Sequence, residues 1–233
     1  MIRLRKAADR GAFRNHWLDA RFSFSFGAYR DPAFDGYSDL WVLNDDRVAP
    51  GGGFDWHSHR DVEVMSYPLA GRVEHRDSIG NRVVLGPGDV HLMRAGTGIS
   101  HSEMNASASE PEHHLQWWIR PAQRGAVPGY WSLHVGRAEK LNRLRLLAAP
   151  DGPDGVLPLA QDARVYAVIV DGATLDYAPP AGRRIYLHVA RGKLTLNGQS
   201  LAEGDGAFVE GEQRLWLANA RGDEGDVLLF DLR

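Results

Sequence analysis

At 233 residues with 43% hydrophobic side chains, the chain is long enough for one large all-β domain or two small ones, and too apolar for wholesale disorder. Lys and Arg number 27 against 30 Asp and Glu, a formal net charge of −3, which argues against binding nucleic acid by bulk charge. There is no cysteine, so disulfides, thiolate zinc sites and iron–sulfur centres are excluded.

The opening Met1-Ile2-Arg3-Leu4-Arg5-Lys6 carries charge with no apolar run behind it, so it does not read as a secretory signal. No stretch approaches the roughly 18 apolar residues of a membrane helix, and the expected location is the cytoplasm. Arg3, Arg5, Lys6 and Arg10 read as a solvated basic patch, and Ala7–Phe13 as a short helix. Phe22, Phe24 and Phe26 alternate with Ser23 and Ser25, the pattern of a strand burying an aromatic face, and some of these rings are candidates for a pocket wall. Leu40–Asn44 reads as a strand, and Val48–Gly53 as a turn into the first histidine cluster. Glu63–Ala70 is a strand closed by Gly71. Arg72–Asp77 pairs with Asn81–Leu85 across Ser78-Ile79-Gly80-Asn81. Gly86-Pro87-Gly88-Asp89 turns into the strand Val90–Arg94, and Gly96-Thr97-Gly98 turns the chain into His101. Leu115–Arg120 is a further strand, in which Trp117 and Trp118 face opposite ways. From about Leu133 to Pro158 the chain reads as irregular, with one helical turn at Ala138–Leu141 and a loop at Gly152-Pro153-Asp154-Gly155.

Beyond this junction the punctuation repeats. Tyr67–Val73 echoes Leu187–Leu194, and Leu85-Gly86-Pro87-Gly88-Asp89-Val90 echoes Leu201-Ala202-Glu203-Gly204-Asp205-Gly206. The economical reading is an all-β chain of two related β-barrels in tandem, residues 1–135 and 136–233. Two clusters carry the chemistry: His57-Ser58-His59 and His101-Ser102-Glu103. Residues i and i+2 of a strand share a face, so His57 and His59 look one way, as do His101 and Glu103. If both strands line one barrel, three imidazoles and a carboxylate converge, a set that suits a first-row transition metal and can leave positions open. The second half lacks such pairs, so only the first half is expected to bind metal in this way. His75, His91, His113 and His114 read as exposed or hydrogen-bonded side chains, and Glu63 as an outer carboxylate orienting a ligand imidazole.

These residues resemble the pirin family of the cupin superfamily. The first cupin motif is matched by Gly51, His57, His59, Glu63 and Gly71, and the second by Gly88, Arg94, Gly96, His101 and Asn105, with Arg94 in place of the usual Pro. The pirin-like segments are sharper: Asn44-Asp45-Asp46-Arg47-Val48, His57-Ser58-His59-Arg60-Asp61, Gly71–Asn81 and Ala95–Glu103, with Ser58 where the family usually has Pro. The resemblance implies a bicupin (two double-stranded β-helix barrels) with His57, His59, His101 and Glu103 as ligands in the N-terminal barrel. It implies Fe(II) as the cofactor, with Mn, Ni, Cu, Co or Zn as alternatives. It also implies a flavonol (quercetin-type) 2,3-dioxygenase using O₂. At such a site the carboxylate of Glu103 is the expected base for a substrate hydroxyl. The rival expectation is a non-catalytic, redox-sensing metal module that regulates a protein partner through the same residues.

Overall fold

Short extended runs punctuated by glycine and proline become strands along almost the whole chain in the computed structural model, which describes every residue except Asp151. In chain order the strands are β1 (Ile2–Arg5), β2 (Gly11–Arg14), β3 (Leu18–Phe22), β4 (Leu40–Val48), β5 (Gly53–His59), β6 (Glu63–Ala70) and β7 (Val73–Asp77). Next come β8 (Arg82–Leu85), β9 (Asp89–Arg94), β10 (Ile99–Asn105), β11 (Glu112–Ile119), β12 (Gly129–His134), β13 (Arg145–Pro150) and β14 (Leu157–Leu159). The last are β15 (Arg164–Val170), β16 (Thr174–Tyr177), β17 (Arg184–Leu196), β18 (Gln199–Ala202), β19 (Gly206–Glu210), β20 (Leu215–Ala218) and β21 (Gly225–Leu232). One helical turn, α1 (Arg137–Lys140), falls where the sequence placed one. The stretch from 133 to 158 is less irregular than expected, since it holds β13 and most of β14; Asp151 lies outside the described residues.

The chain forms two compact units. One comprises Gly11–His134 and Leu159–Gln161; the other comprises Met1–Arg10, Val135–Pro158 and Asp162–Arg233. Met1–Arg10, expected with the first domain, thus lies in the unit built mostly from the C-terminal half. The reason is main-chain pairing: β1 runs antiparallel to β19, with Leu4 opposite Ala207. That pairing leaves the expected basic patch only partly solvated, since Arg3 and Lys6 stay exposed while Arg10 is half-buried. Arg5 is buried, the Arg3 guanidinium stacks 4.3 Å over the Phe208 ring, and Lys6 Nζ lies 2.8 Å from Asp205 Oδ2. The expected helix over 7–13 is a 3₁₀ turn, Ala7–Asp9, followed by β2, which pairs with β3. Extended main chain at Gly11 lets the Tyr29 ring lie against the backbone, where an added Cβ would come within 2.4 Å.

In the histidine-bearing unit, a four-stranded sheet ordered β5-β10-β7-β8 and a seven-stranded sheet ordered β12-β9-β6-β11-β4-β3-β2 enclose one interior. The sheets meet through inward side chains: Gln116 of β11 donates from Nε2 to Glu103 Oε2 of β10 at 2.8 Å. In the second unit, β17 sits between β19 and β21, and its interior is filled by Val168, Leu187, Val189, Leu194, Leu217, Val227 and Leu229. The internal echo is real at the level of turns. Asp89 Oδ2 accepts the Gly86 N–H at 2.8 Å, and Asp205 Oδ2 accepts the Ala202 N–H at 3.1 Å, the same carboxylate-to-backbone turn three residues back. Gly71 and Gly192 also correspond. Both have positive φ (+68° and +72°), and an added Cβ would lie 2.5 Å from Pro111 O or 2.0 Å from Glu224 O.

This overlap gives a stability prediction. Gly192→Ala strains the backbone and drives a methyl into a carbonyl, and should cost at least about 1–3 kcal/mol. The unfolding midpoint should fall by roughly 2–12 °C. Gly198→Ala, at φ +80° with open space around it, should cost clearly less. Equal losses in calorimetry would mean that the carbonyl overlap is relieved at no cost.

Candidate metal centre

The centre is built on antiparallel pairing. His101 of β10 lies directly opposite His57 of β5, and His59 is two residues further along β5, opposite Ile99. The three rings close on one another, with centroids 4.4 Å (His57–His101), 4.9 Å (His57–His59) and 4.9 Å (His59–His101) apart. One nitrogen from each ring lies within 4.8 Å of the others, a spacing open to a shared ion. His57 and His59 are half-buried and His101 is fully buried, so the group sits at the edge of the interior. His57 Nδ1 is 2.7 Å from the Asp55 carbonyl. A carbonyl only accepts, so this nitrogen carries a hydrogen, leaving Nε2 as the ring's ligand atom. Nε2 of His59 and of His101 are buried with no hydrogen-bond partner in the structure. Buried orphaned nitrogens of this kind call for a partner such as an ion.

Burial is the leading influence on two of these rings. It pushes the His59 imidazole down to about 4 and that of His101 to about 3, so both are neutral at physiological pH and able to ligate. Among the described residues, the fourth expected ligand, Glu103, does not join the three-histidine group and clusters instead with His75 and His101. A register shift in the β5–β10 pairing between His101 and Glu103 sets Glu103 opposite Phe54. Glu103 Oε2 accepts from Gln116, while Oε1 is buried without a hydrogen bond, 3.9 Å from His91 Nε2. Burial would raise this carboxyl, but His101, His91 and His114 outweigh it and bring it down to about 2. Of those three, His114 is the cation at neutral pH. Burial opposes its charge, yet Glu112, 2.8 Å from Nδ1, raises it to about 10. His91, lowered by burial to about 3, is neutral.

His75, His91 and His114, which the sequence placed among exposed or hydrogen-bonded residues, are all buried in this interior, and only His113 is partly open. Each of the three makes a hydrogen bond: His75 with Asp77, His91 with Tyr130 and His114 with Glu112. The missed signal is strand parity, since His75 alternates inward with Val73 and Asp77. Glu63 is a correction. It is buried, but it accepts from Arg94 Nε at 3.0 Å and from the Ala160 N–H at 2.8 Å, and so reaches no ligand imidazole. The cause is register, because Glu63 pairs with Arg94 across β6 and β9. Trp117 is core, whereas Trp118 is half-buried and edge-on to His59, with centroids 5.0 Å apart. The expected one-sided Phe strand is also corrected. β3 ends at Phe22, and Phe24, Ser23 and Ser25 are all buried.

A cavity of about 560 Å³ adjoins the centre. Trp17, Phe22, Phe26, Tyr29 and Phe54 wall it, and Asn44 and Asp46 lie in its lining. The Phe54 ring is 6.5 Å from that of His57, and Phe26 packs on Trp118 at 5.4 Å. Asn44 Oδ1 and Asp46 Oδ1 are buried acceptors with no hydrogen-bond partner in the structure, and burial raises Asp46 to about 7. The cavity reaches the histidines through Phe54 rather than being lined by them, and a hollow of similar size, about 480 Å³, occurs in the other unit between Pro179 and Gln213.

Comparison with known proteins agrees with this geometry. The family model described as Pirin matches residues 3–119, and one described as Quercetinase C-terminal cupin domain matches residues 146–232. A quercetin 2,3-dioxygenase of Escherichia coli K12 is 41% identical over 234 residues, covering 100% of this chain and 99% of that protein. A putative quercetin 2,3-dioxygenase of Pseudomonas aeruginosa is 40% identical, covering 98% of each. Among solved structures, the bacterial pirin YhhW from Escherichia coli in complex with nickel(II) superposes with a TM-score of 0.94 at 39% identity, covering 100% of this chain and 99% of that one. An all-β, two-domain cupin fold with a histidine cluster in its first half defines the class. The chain belongs to the pirin family.

The buried neutral imidazoles set an acid sensitivity. In the unfolded chain these histidines bind protons below about 6.5, but in the folded metal-free protein His59 does so only near 4, and His91 and His101 near 3. The unfolded state therefore binds more protons across this window, and stability falls as pH drops from 6.5 towards 4. An NMR titration of the metal-free protein should show His101 neutral throughout pH 8 to 5. A midpoint near 6.5 would contradict its burial.

Proposed function

We propose that the chain is a metal-dependent dioxygenase that brings a flavonol and O₂ together at one divalent ion held by His57, His59, His101 and Glu103. The observation that carries the reading is the three-histidine group, beside an aromatic-walled cavity, in a chain about 40% identical throughout its length to quercetin 2,3-dioxygenases. The donor set fits the ion. Two orphaned buried ring nitrogens supply neutral lone pairs, His57 offers Nε2 because its Nδ1 is bound to a carbonyl, and Glu103 supplies an ionised carboxylate with a free oxygen. Nitrogen and oxygen donors suit iron, which we favour, and equally Mn, Ni, Cu, Co or Zn. The nickel complex of the YhhW pirin supports a divalent ion of this series.

Once bound, the metal acts as a Lewis acid that lowers the pKa of a substrate hydroxyl. Protein groups do the rest. Phe22, Phe26 and Phe54 accept a flat aromatic ring, and Trp118 limits movement beside His59. The unpartnered acceptors of Asn44 and Asp46 receive hydroxyl donors on a polyphenol, and a ring lacking hydroxyls leaves them unsatisfied. Glu103 Oε1 takes the hydrogen of the reacting hydroxyl, and Gln116 keeps the other oxygen in place. The proposal assigns the metal chemistry to residues 1–135 and a role without metal to 136–233. It includes a cytoplasmic setting and no nucleic-acid partner, in keeping with the net charge.

Two measurements test this reading. The His57→Ala, His59→Ala double variant should lose the ion while keeping its circular dichroism; unchanged metal by elemental analysis would refute the assignment. Glu103→Gln keeps one ligating oxygen but cannot accept a proton. It should retain most of the metal and lose about 10²–10⁴-fold in O₂ uptake with a flavonol. Metal-loaded wild-type protein that consumes no O₂ across a flavonol panel would leave the non-catalytic module, addressed to a protein partner, as the better reading.

A further inference from the structure

Behind the three-histidine group lies a line of buried polar groups that the proposed reaction does not use. His75 on β7 and His101 on β10 are both fully buried, and their Nδ1 atoms make a hydrogen bond at 3.4 Å. One nitrogen must therefore carry hydrogen and the other a lone pair. The choice is made further along the line. His75 Nε2 lies 3.2 Å from Asp77 Oδ2. Asp77 is saturated with donors: Oδ1 accepts the N–H groups of Ile79 (3.1 Å) and Asn81 (2.9 Å), and Oδ2 accepts Asn81 Nδ2 (2.8 Å). An ionised carboxylate only accepts, so His75 Nε2 carries the hydrogen. A neutral imidazole has one N–H, so His75 Nδ1 is the lone pair and His101 Nδ1 donates to it. The remaining nitrogen of His101, Nε2, is then the lone pair. It is buried and makes no hydrogen bond, in the ring that packs against His57 and His59.

The geometry points to an Asp77–His75–His101 relay that presets the ligating tautomer of His101, making Asp77 and His75 positioning residues of the centre. The inference rests on the metal reading of the histidine group. Main-chain pairing holds the relay in line, since β10 sets His101 opposite Asp77 and Glu103 opposite His75. A carboxylate passing its influence through an imidazole fixes ring orientation and raises the basicity of the ligand. Here the chain is one imidazole longer than a direct carboxylate–histidine pair. Asp77 also closes the turn between β7 and β8, so the turn and the ligand tautomer share one carboxylate.

The test uses the full-length protein and two readouts. Nitrogen-15 NMR of the histidine-labelled, metal-free protein at pH 8 should show His101 as the Nδ1–H tautomer and His75 as the Nε2–H tautomer. His101 as Nε2–H, or His75 doubly protonated, would overturn the relay. Ni(II) affinity is then measured by chelator competition. His75→Phe keeps the ring volume but removes both nitrogens, and should weaken Ni(II) by about 10–100-fold. His75→Asn keeps an acceptor near the Nδ1 position but loses volume, and should recover most of the affinity even if it melts lower. A packing role predicts the opposite ranking, and that result would overturn the proposal. Should wild-type protein take up no Ni(II), the metal reading fails, while the tautomer measurement still decides the relay.

Discussion

The register of β10 is the constraint on which the site depends. This strand is hydrogen-bonded on both sides, and His101 faces His57 across one edge and Asp77 across the other. A strand's side chains alternate with a period of two, so a slip of one residue would turn His101 and Glu103 outward and Ser102 inward. The neighbours oppose such a slip. Ile99 packs with Val62, Val64, Met93 and Ala95, and Asn105 donates from Nδ2 to the carbonyls of Val48, Ala49 and Glu110. The apolar end and the amide end thus pin the strand, and the imidazole is placed between them. Glu103 is reached only through the register shift, which opposes it to Phe54 and turns its carboxylate towards Gln116 and His91.

The interior of this unit is unusual in what it buries. Asp46, His75, His91, His101, Glu103, Glu112, His114 and Gln116 are all inaccessible or nearly so. Such groups are costly without partners. Two solutions coexist. Towards β4 the charges are kept and paired, with His114 as a cation against Glu112. At His91 of β9 and His101 of β10, burial pushes the imidazoles down and they remain neutral. Paired cations cannot ligate, whereas neutral imidazoles can, so the two sides of this interior differ in chemistry although the residue types are alike.

Much of this was legible in the sequence because it was local. The i, i+2 spacing of His57 and His59 and of His101 and Glu103 placed each pair on one face, and the Gly-Asp turns marked both repeats. The pirin-like segments carried the family. What was not legible depended on pairing between distant segments. Nothing near Arg5 announces that β1 adds to β19, and nothing near Glu63 announces Arg94 and Ala160 as its partners. His75 and Asp77 show an i, i+2 spacing as plain as that of the ligands. The spacing alone does not reveal their value, which lies in what β10 sets against them.

The second unit shows how separable fold and site are. It keeps the carboxylate-closed turn at Asp205 and the constrained Gly192, the counterparts of Asp89 and Gly71. Yet its core cluster is aliphatic, mostly Val and Leu, where the interior of the other holds imidazoles and carboxylates. An apolar interior contributes on the order of 25 cal/mol per Å² buried without any need for polar partners. The turns set the architecture in both units, and the inward residues decide what each interior does. In the histidine-bearing unit those residues include a group, Asp77, that belongs to both levels. Its carboxylate closes a turn with both oxygens and sets an imidazole with one of them, so the framework and the tautomer of His101 are tied through a single side chain.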